Sequence, residues 1–313
     1  MKIIFFGTPQ FASRTLAYLV DHGIDIVAVV TKPDKPVGRS GKPVPCSVKV
    51  IAQEKLPEVP LFQPDKASTP EFIKTLAPFN ADVFVVVAYG EIINQELLDL
   101  PKKACINVHA SLLPKYRGAA PIQRAIMEGE KETGVTIMHM VKKLDAGPMI
   151  KQVKVKIGTN TTSAEMHDLL QKAGAEALLQ VLKEIEEGID IAVIQDETEV
   201  TYAKKIELED CEIDWSQPAR DIHNLIRGVT PHPGAWCWVL VRGAKKRLKI
   251  LSSRFVMGYT ETPGNILEFG KEGIIVACGE ESLRLLEVKL EGKRAMSAEE
   301  FACGLSGSDL KFL

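Results

Sequence analysis

The sequence has no C-x-x-C pair. Its six cysteines, Cys46, Cys105, Cys211, Cys237, Cys278 and Cys303, stand far apart, which argues against a zinc ribbon, a redox dithiol or a disulfide scaffold and fits a reducing compartment. Long apolar runs are missing too. The amino terminus offers only Ile3 to Phe6 before Gly7-Thr8-Pro9, too short for a signal peptide or a membrane span, so a cytoplasmic protein without a membrane partner is expected. Charge of either sign is nearly balanced at a formal net −2, so no global attraction for a polyanion exists and a nucleic-acid partner would need a local basic surface. None of the six histidines forms an H-x-x-x-H pair or a comparable ligand cluster, and no metal is expected. After Gly7 the second and third glycines of a G-x-G-x-x-G loop are absent, with Pro9 and Gln10 in that stretch, which disfavours a dinucleotide site.

What is present suits a globular chain of two domains: 313 residues, 45% hydrophobic and 26% charged, enough for two separate cores. In the first half, short apolar runs alternate with amphipathic stretches. Lys2–Phe6, Asp25–Thr31, Asp82–Ala88 and Ala104–Val108 read as central strands; Gln10–His22, Val48–Lys55, Pro70–Pro78 and Asn94–Asp99 read as helices between them. That alternation predicts an α/β fold, a doubly wound, mostly parallel sheet. Further strands are expected at Gly134–Val141 and Ile150–Ile157. A long helix follows, opened by a Thr162/Glu165 capping box, with Met166, Leu169, Leu170, Ala173, Ala177 and Val181 on its apolar face and Gly188 as its stop. From Asp210 onward one short helix, Pro218–Gly228, precedes β-type runs at Ala235–Val241, Arg247–Leu251, Gly264–Glu268, Gly273–Ala277 and Leu283–Val288, the pattern of a small antiparallel barrel.

The polar residues that interrupt apolar pattern are the informative ones. Asn107 and His109 lie two apart at the end of a buried strand, so their side chains share one side, outside the carboxyl ends where doubly wound sheets bind ligands. Burying them without partners would be costly, which leaves a structural hydrogen-bond network or an active site. Asp145, in the turn Leu144-Asp145-Ala146-Gly147-Pro148, adds a carboxylate able to orient and charge-stabilise an imidazole, although an aspartate before a glycine is commonly only a turn residue. No serine or cysteine nucleophile has matching context; Cys105 reads as a buried structural thiol. Between Arg242 and Arg254 the chain carries Arg242, Lys245, Lys246, Arg247, Lys249 and Arg254 with no acid among them. That run fits a solvated hairpin and a nucleic-acid surface equally well.

The segment I-N-V-H-A-S-L-L-P-K-Y-R-G-A-A-P-I-Q over 106–123, together with L-D-A-G over 144–147, resembles the folate-dependent formyltransferase family. The start F-F-G-T-P-Q-F-A, the loop P-D-K-P-V-G-R-S-G-K-P, Y-A-K-K-I with E-D-C-E-I-D-W, and I-R-G-V-T-P-H-P-G-A-W extend the resemblance over nearly the whole chain. It implies a Rossmann-like catalytic domain over residues 1–189, a linker over 190–207 and an OB-like β-barrel docking domain over 208–313. It implies that Asn107, His109 and Asp145 are catalytic and that Ser111, Leu112, Leu113 and Pro114 line the site for 10-formyl-tetrahydrofolate, the formyl donor. The acceptor it implies is the α-amino group of methionine on initiator tRNA, a transfer that requires no metal; separately, a monomer is expected. Arg39 and Lys42 in the long basic loop, with Lys204, Lys205, Arg227, Arg242, Lys245, Lys246 and Arg247, are the implied tRNA contacts. Pro148 departs from the family, many members of which carry an acidic residue there. Two rivals are a formyltransferase acting on a sugar-nucleotide amine and a non-catalytic RNA-binding protein on an enzyme scaffold.

Overall fold

The residues Ile3–Gly7 are all buried, and a strand of five residues can be buried on both faces only if helices cover both sides of its sheet. The computed structural model, which describes residues 1–36, 41–258, 261–271 and 273–313, builds the first half of the chain around that strand. In chain order it sets β1 (Ile3–Gly7), α1 (Gln10–Asp21), β2 (Ile26–Val30), α2 (Ser47–Lys55), β3 (Leu61–Phe62), α3 (Pro70–Leu76), β4 (Val83–Val87), α4 (Gln95–Leu98), β5 (Ala104–His109), β6 (Glu132–His139), β7 (Met149–Lys156) and α5 (Ser163–Glu187). The sheet order is β7-β6-β5-β4-β1-β2-β3. Strands β1 to β5 pair in parallel, and β6 joins β5 antiparallel.

The strand alternation separates the two faces. Ile4, Phe6, Ala28, Val30, Phe84 and Val86 share one core with Ile73, Leu76, Leu97 and Leu98 from α3 and α4. Each of these side chains other than Ala28 contributes about 1.5–3 kcal/mol by leaving water. The chain leaves β1 for β2 and β3 on one side, then returns to β4 and β5 on the other. The switch point therefore lies at the carboxyl ends of β1 and β4, where the Thr8 hydroxyl donates to the Tyr89 carbonyl at 2.9 Å. β5 ends beside it.

The expected elements of this half are present, with differences at their edges. The Asn94–Asp99 stretch is helical only over Gln95–Leu98, capped by the Asn94 side chain. Edge strand β3 has two residues, too few for a periodicity to show. The α5 capping box forms: Thr162 N–H donates to Glu165 Oε2 at 2.8 Å and Glu165 N–H to Thr162 Oγ1 at 3.3 Å. Leu169 is a correction. It is 49% exposed, while Leu170 next to it is buried, so the apolar stripe runs through Met166, Leu170, Ala177 and Val181.

In the second half α6 (Ala219–Val229) precedes β8 (Ala235–Val241), β9 (Ala244–Val256), β10 (Ile266–Gly270), β11 (Gly273–Ala277), β12 (Ser282–Leu290), α7 (Ala298–Cys303) and β13 (Leu310–Phe312). The strands follow the order β10-β11-β12-β9-β8-β13 with antiparallel pairing throughout, a nearly closed barrel. Trp215, Ile222 and Ile226 fill it against Leu248, Ile250, Val276, Leu283 and Val288. Strand β9 is longer than the apolar run Arg247–Leu251 because its outer face is polar and its ends pair with β8 and β12. A short helix at Pro121–Met127 was not anticipated, although Pro121 at its first turn is a start signal. The chain divides into two compact units. One comprises Met1–Gly118, Thr133–Val155 and His167–Tyr202; the other comprises Ala119–Glu132, Lys156–Met166 and Ala203–Leu313. All six cysteines are free thiols.

Candidate active site

Strand β5 carries Asn107 and His109 at its carboxyl end. Asn107 sits opposite Val86 of β4 and Met138 of β6, and is half-buried. Its carboxamide has no hydrogen-bond partner among the described residues, so its N–H groups are available to a ligand. Two positions on, His109 is 6% exposed, and its Nε2 lies 2.9 Å from the Tyr116 carbonyl oxygen. A carbonyl can only accept, so that contact assigns the proton to Nε2. The other ring nitrogen, Nδ1, faces Asp145 Oδ2 at 3.8 Å, with both side chains almost out of solvent.

Asp145 is presented by a turn with little freedom. Its φ of 47° is left-handed, a region aspartate enters more easily than most residues because its short side chain can bond locally. Oδ2 accepts the Gly118 backbone N–H at 2.8 Å, and the main chain on either side is pinned by one side chain: Gln195 Nε2 donates to the carbonyls of Asp145 and Gly147, each at 2.8 Å. Gly147 is obligatory, since a Cβ there would lie 1.7 Å from the His139 carbonyl oxygen. Gln195 is held in turn by Arg117, whose Nε and Nη2 donate to Oε1 at 3.0 and 2.8 Å. Arg117 Nη2 also meets Glu197 Oε1 at 2.9 Å, and Lys143 Nζ meets Glu197 Oε2 at 2.5 Å. Those two cations, Lys143 first, hold the Glu197 carboxyl below the usual carboxylate range.

The loop after β5 is braced from below. Ser111 Oγ donates to the Lys115 carbonyl at 2.7 Å, and Thr136 Oγ1 donates to the Ser111 carbonyl at 2.7 Å while accepting Leu113 N–H at 3.2 Å. Gln152 Nε2 donates to the Leu113 carbonyl at 2.7 Å. Ser111, Leu113 and Pro114 are buried and Leu112 partly so; the Ser111 hydroxyl is used within the loop. Gln195, Arg117, Thr136 and Gln152 were given no role from the sequence: Arg117 lies within the 106–123 segment, and the other three are single polar residues without a motif. Burial raises the Cys105 thiol to about 12, consistent with a structural thiol.

The basic residues fall into three settings. Arg39 lies outside the described residues. Lys42, on the same loop, is exposed, and the neighbouring Asp34 is fixed by Lys49 Nζ at 2.7 Å and Gln63 Nε2 at 2.8 Å. Lys204 and Lys205 are exposed, and their carbonyls accept from Arg124. Arg242 forms the tip of the β8–β9 hairpin with Gly243, both at positive φ, as a two-residue turn requires. Lys245, Lys246 and Arg247 follow on β9. Lys245 Nζ stands 4.7 Å from the Trp238 ring centre, and the Arg247 guanidinium stands 4.3 Å from Trp236 and 5.3 Å from Trp238. Trp236 is a buried core residue of the barrel, while Trp238 is partly buried. Arg227 departs from expectation. It is 6% exposed and donates to Asn224 Oδ1 at 2.9 Å and to the carbonyls of Gly158 and Thr161 at 3.2 and 3.0 Å. Its charge is spent on protein oxygens, which removes it from a surface for RNA.

Among the described residues no group of three or more His, Cys, Asp or Glu side chains is placed to hold a metal ion, and no helix is long and apolar enough to cross a membrane. Comparison with known proteins matches residues 1–182 to the formyl transferase family and residues 205–306 to the formyl transferase C-terminal domain. Methionyl-tRNA formyltransferase of Protochlamydia amoebophila (strain UWE25) is 54% identical over 313 residues, covering 100% of this chain and 98% of that protein. The enzyme of the same name from Geobacter metallireducens is 44% identical over 304 residues, 97% and 96% of the two chains. Among solved structures, an N-formyltransferase of Helicobacter canadensis in complex with folinic acid and dTDP-3-aminofucose superposes with a TM-score of 0.67 at 19% identity, covering 91% of this chain and 99% of that one.

Proposed function

The chain belongs to the formyl transferase family, and from that premise we propose that it transfers the formyl group of 10-formyl-tetrahydrofolate to the α-amino group of methionine on initiator Met-tRNA, a reaction of translation initiation. The observation that carries the choice of acceptor is identity of 54% over the full 313 residues with a methionyl-tRNA formyltransferase. The sugar-amine enzyme shares the fold at 19%, which is a likeness of architecture alone. An enzyme is favoured over a non-catalytic RNA binder by the His109–Asp145 pair and the unpartnered Asn107 amide at the tip of one strand.

The amine lone pair attacks the formyl carbon, the carbonyl electrons move to oxygen, and a tetrahedral oxyanion forms. Asn107 supplies the uncommitted N–H donors for that oxygen. His109 adds positive charge when protonated at Nδ1, with Asp145 3.8 Å away to balance it. The Nε2 proton is shared with the Tyr116 carbonyl in the free protein, so reaching the oxyanion requires it to turn or divide its donation. The attacking nitrogen loses a proton to the His109–Asp145 pair. The oxyanion electrons re-form the carbonyl as the bond from the formyl carbon to the folate nitrogen breaks with its electrons on nitrogen, and that nitrogen takes the proton the His109–Asp145 pair received from the amine, giving tetrahydrofolate.

In this reading the folate lies along the Ser111–Pro114 loop, and residues 1–189 form the catalytic domain, 190–207 the linker and 208–313 the docking domain. The tRNA is held by Arg39 and Lys42 on one loop, by Lys204 and Lys205, and by the Arg242, Lys245, Lys246 and Arg247 face of the barrel. Arg227 is withdrawn from that set. The enzyme acts as a cytoplasmic monomer without a metal cofactor. Incubation with 10-formyl-tetrahydrofolate and either Met-tRNA or an amino-sugar nucleotide is expected to yield formyl product with the tRNA alone. Formylation of the sugar amine in preference would overturn the assignment.

A further inference from the structure

The turn that presents Asp145 is closed into a ring by residues distant in sequence, Gly118 standing 27 positions before it and Gln195 50 positions after it. Starting at the carboxylate, Oδ2 accepts the Gly118 N–H; the covalent chain leads from Gly118 to Arg117; the Arg117 guanidinium holds Gln195 Oε1; and Gln195 Nε2 returns to the Asp145 carbonyl. Asp145 is thus gripped at its side chain by Gly118 and at its main chain by Gln195, which Arg117 holds in turn. We propose that Gln195 and Arg117 are positioning residues of the formyl transfer, holding Asp145 in the conformation that faces its carboxylate to His109. The inference rests on the catalytic reading of Asp145.

Several observations carry it. Gln195 is 4% exposed, and its carboxamide makes four hydrogen bonds to oxygen and nitrogen partners, two as donor to the carbonyls of Asp145 and Gly147 and two as acceptor from Arg117, beside a long contact of Nε2 with Met138 Sδ at 3.9 Å. That is its full capacity. Asp145 stands in a left-handed conformation that an L-residue keeps only when its surroundings dictate it. Arg117 is fully buried, and its Nη1 has no hydrogen-bond partner among the described residues. Retaining such a cation costs more than an apolar residue of equal size would, so packing alone does not account for it. The bidentate fork on Gln195 fixes the orientation of that amide, and hence which of its atoms face the turn.

The test separates positioning from mere stabilisation. Gln195→Glu keeps an acceptor for Arg117, but places an oxygen where the donor nitrogen stood, against two carbonyl oxygens 2.8 Å away. The turn should be pushed off His109 while the buried pair with Arg117 is retained. In the full chain we expect kcat for Met-tRNA formylation to fall about a hundredfold, the size of effect that about 1 Å of misplacement produces. KM for tRNA and folate donor should stay within about twofold of the parent, and the thermal midpoint should fall by several degrees, since two buried donor bonds to the turn are lost while the contact with Arg117 gains charge. Amide exchange at Gly118, whose acceptor is the Asp145 carboxylate, should accelerate about tenfold or more. Arg117→Lys, which keeps the charge but cannot bridge Gln195 and Glu197, should show the same pattern and serves if the first variant does not fold. Unchanged exchange at Gly118, or faster exchange with kcat unaltered, would overturn the proposal, as would a loss of kcat matched by loss of folded protein. Gly118 exchange is independent of turnover, so a parent protein that formylates a different amine would sink the functional reading and still leave the grip on Asp145 measured.

Discussion

Replacing Asp145 with asparagine removes a charge and almost nothing else. Oδ2 accepts one backbone N–H, from Gly118 at 2.8 Å, and an asparagine carbonyl can accept the same bond, so the turn keeps its anchor while the field at His109 disappears. A unit charge 3.8 Å from Nδ1 is worth about 4 kcal/mol at an effective dielectric of about 20. If the transition state carries a His109 cation, that energy is lost at the barrier, which is about a thousandfold in rate. The structural cost is the difference between a charge-assisted and a neutral hydrogen bond, about 1 kcal/mol, or a few degrees in the unfolding midpoint. The assay is single-turnover formylation of Met-tRNA at saturating folate donor, with the Asp145→Asn and Asp145→Ala variants followed in parallel by thermal melting. The electrostatic argument requires the two variants to be similarly slow although only the alanine loses the Gly118 bond. An asparagine variant within about tenfold of the parent would show that Asp145 acts by shape, and the assigned role would fail.

Asn107→Ala is expected to lower kcat about a hundred- to a thousandfold, as loss of an oxyanion donor does, and His109→Ala about a hundred- to ten-thousandfold, with folate affinity little changed; near-normal turnover in either removes that residue from the mechanism. Lys245→Ala and Arg247→Ala should weaken tRNA binding and flatten its dependence on salt by about 0.7–0.9 for each phosphate that the variant no longer neutralises. Arg227→Met, by contrast, should lower the unfolding midpoint without altering that slope, because its guanidinium is bonded within the protein; a changed slope would return it to the RNA surface. The Glu197 carboxyl is held below its ordinary range by Lys143 and Arg117. Its contribution is therefore complete above its unfolded value of about 4.3 and is lost as pH falls through the lowered folded value, the unfolded chain taking up the proton first. Urea titrations of the parent and Glu197→Gln should differ by a constant amount from about pH 7 to 5 and converge in stronger acid. A difference that stays constant into strong acid would disprove the pairing.

The parallel sheet was legible because its strands are buried on both faces, so Ile3–Gly7 and Val83–Val87 appear as unbroken apolar runs. Asn107 and His109 were legible for the opposite reason, as polar residues at the end of such a run. What the sequence does not display is the set of bonds that hold them. Gln195 reads as one polar residue in an irregular stretch, and its partner Arg117 stands 78 positions earlier. Arg227 was placed among the tRNA contacts by the family resemblance alone; its neighbours Ile226 and Val229 are buried, and it turns inward with them to bond carbonyls of Gly158 and Thr161. Leu169 misled as an apolar residue one step outside the stripe. Strand β3 and the helix Pro121–Met127 are shorter than the window in which periodicity can be recognised.

The burial of Arg117 also bears on the order in which the polypeptide is made. Its two acceptors, Gln195 and Glu197, lie downstream of every strand of the large sheet. A nascent chain whose translated portion stopped at the end of the long helix would hold all seven of those strands and a guanidinium with nothing to receive it. Segments that fold during synthesis do so as their partners emerge. Closure around Asp145 therefore waits for the ribosome to deliver the stretch that follows Gly188, and premature termination just before it should release a protein with an assembled sheet and an incompetent centre.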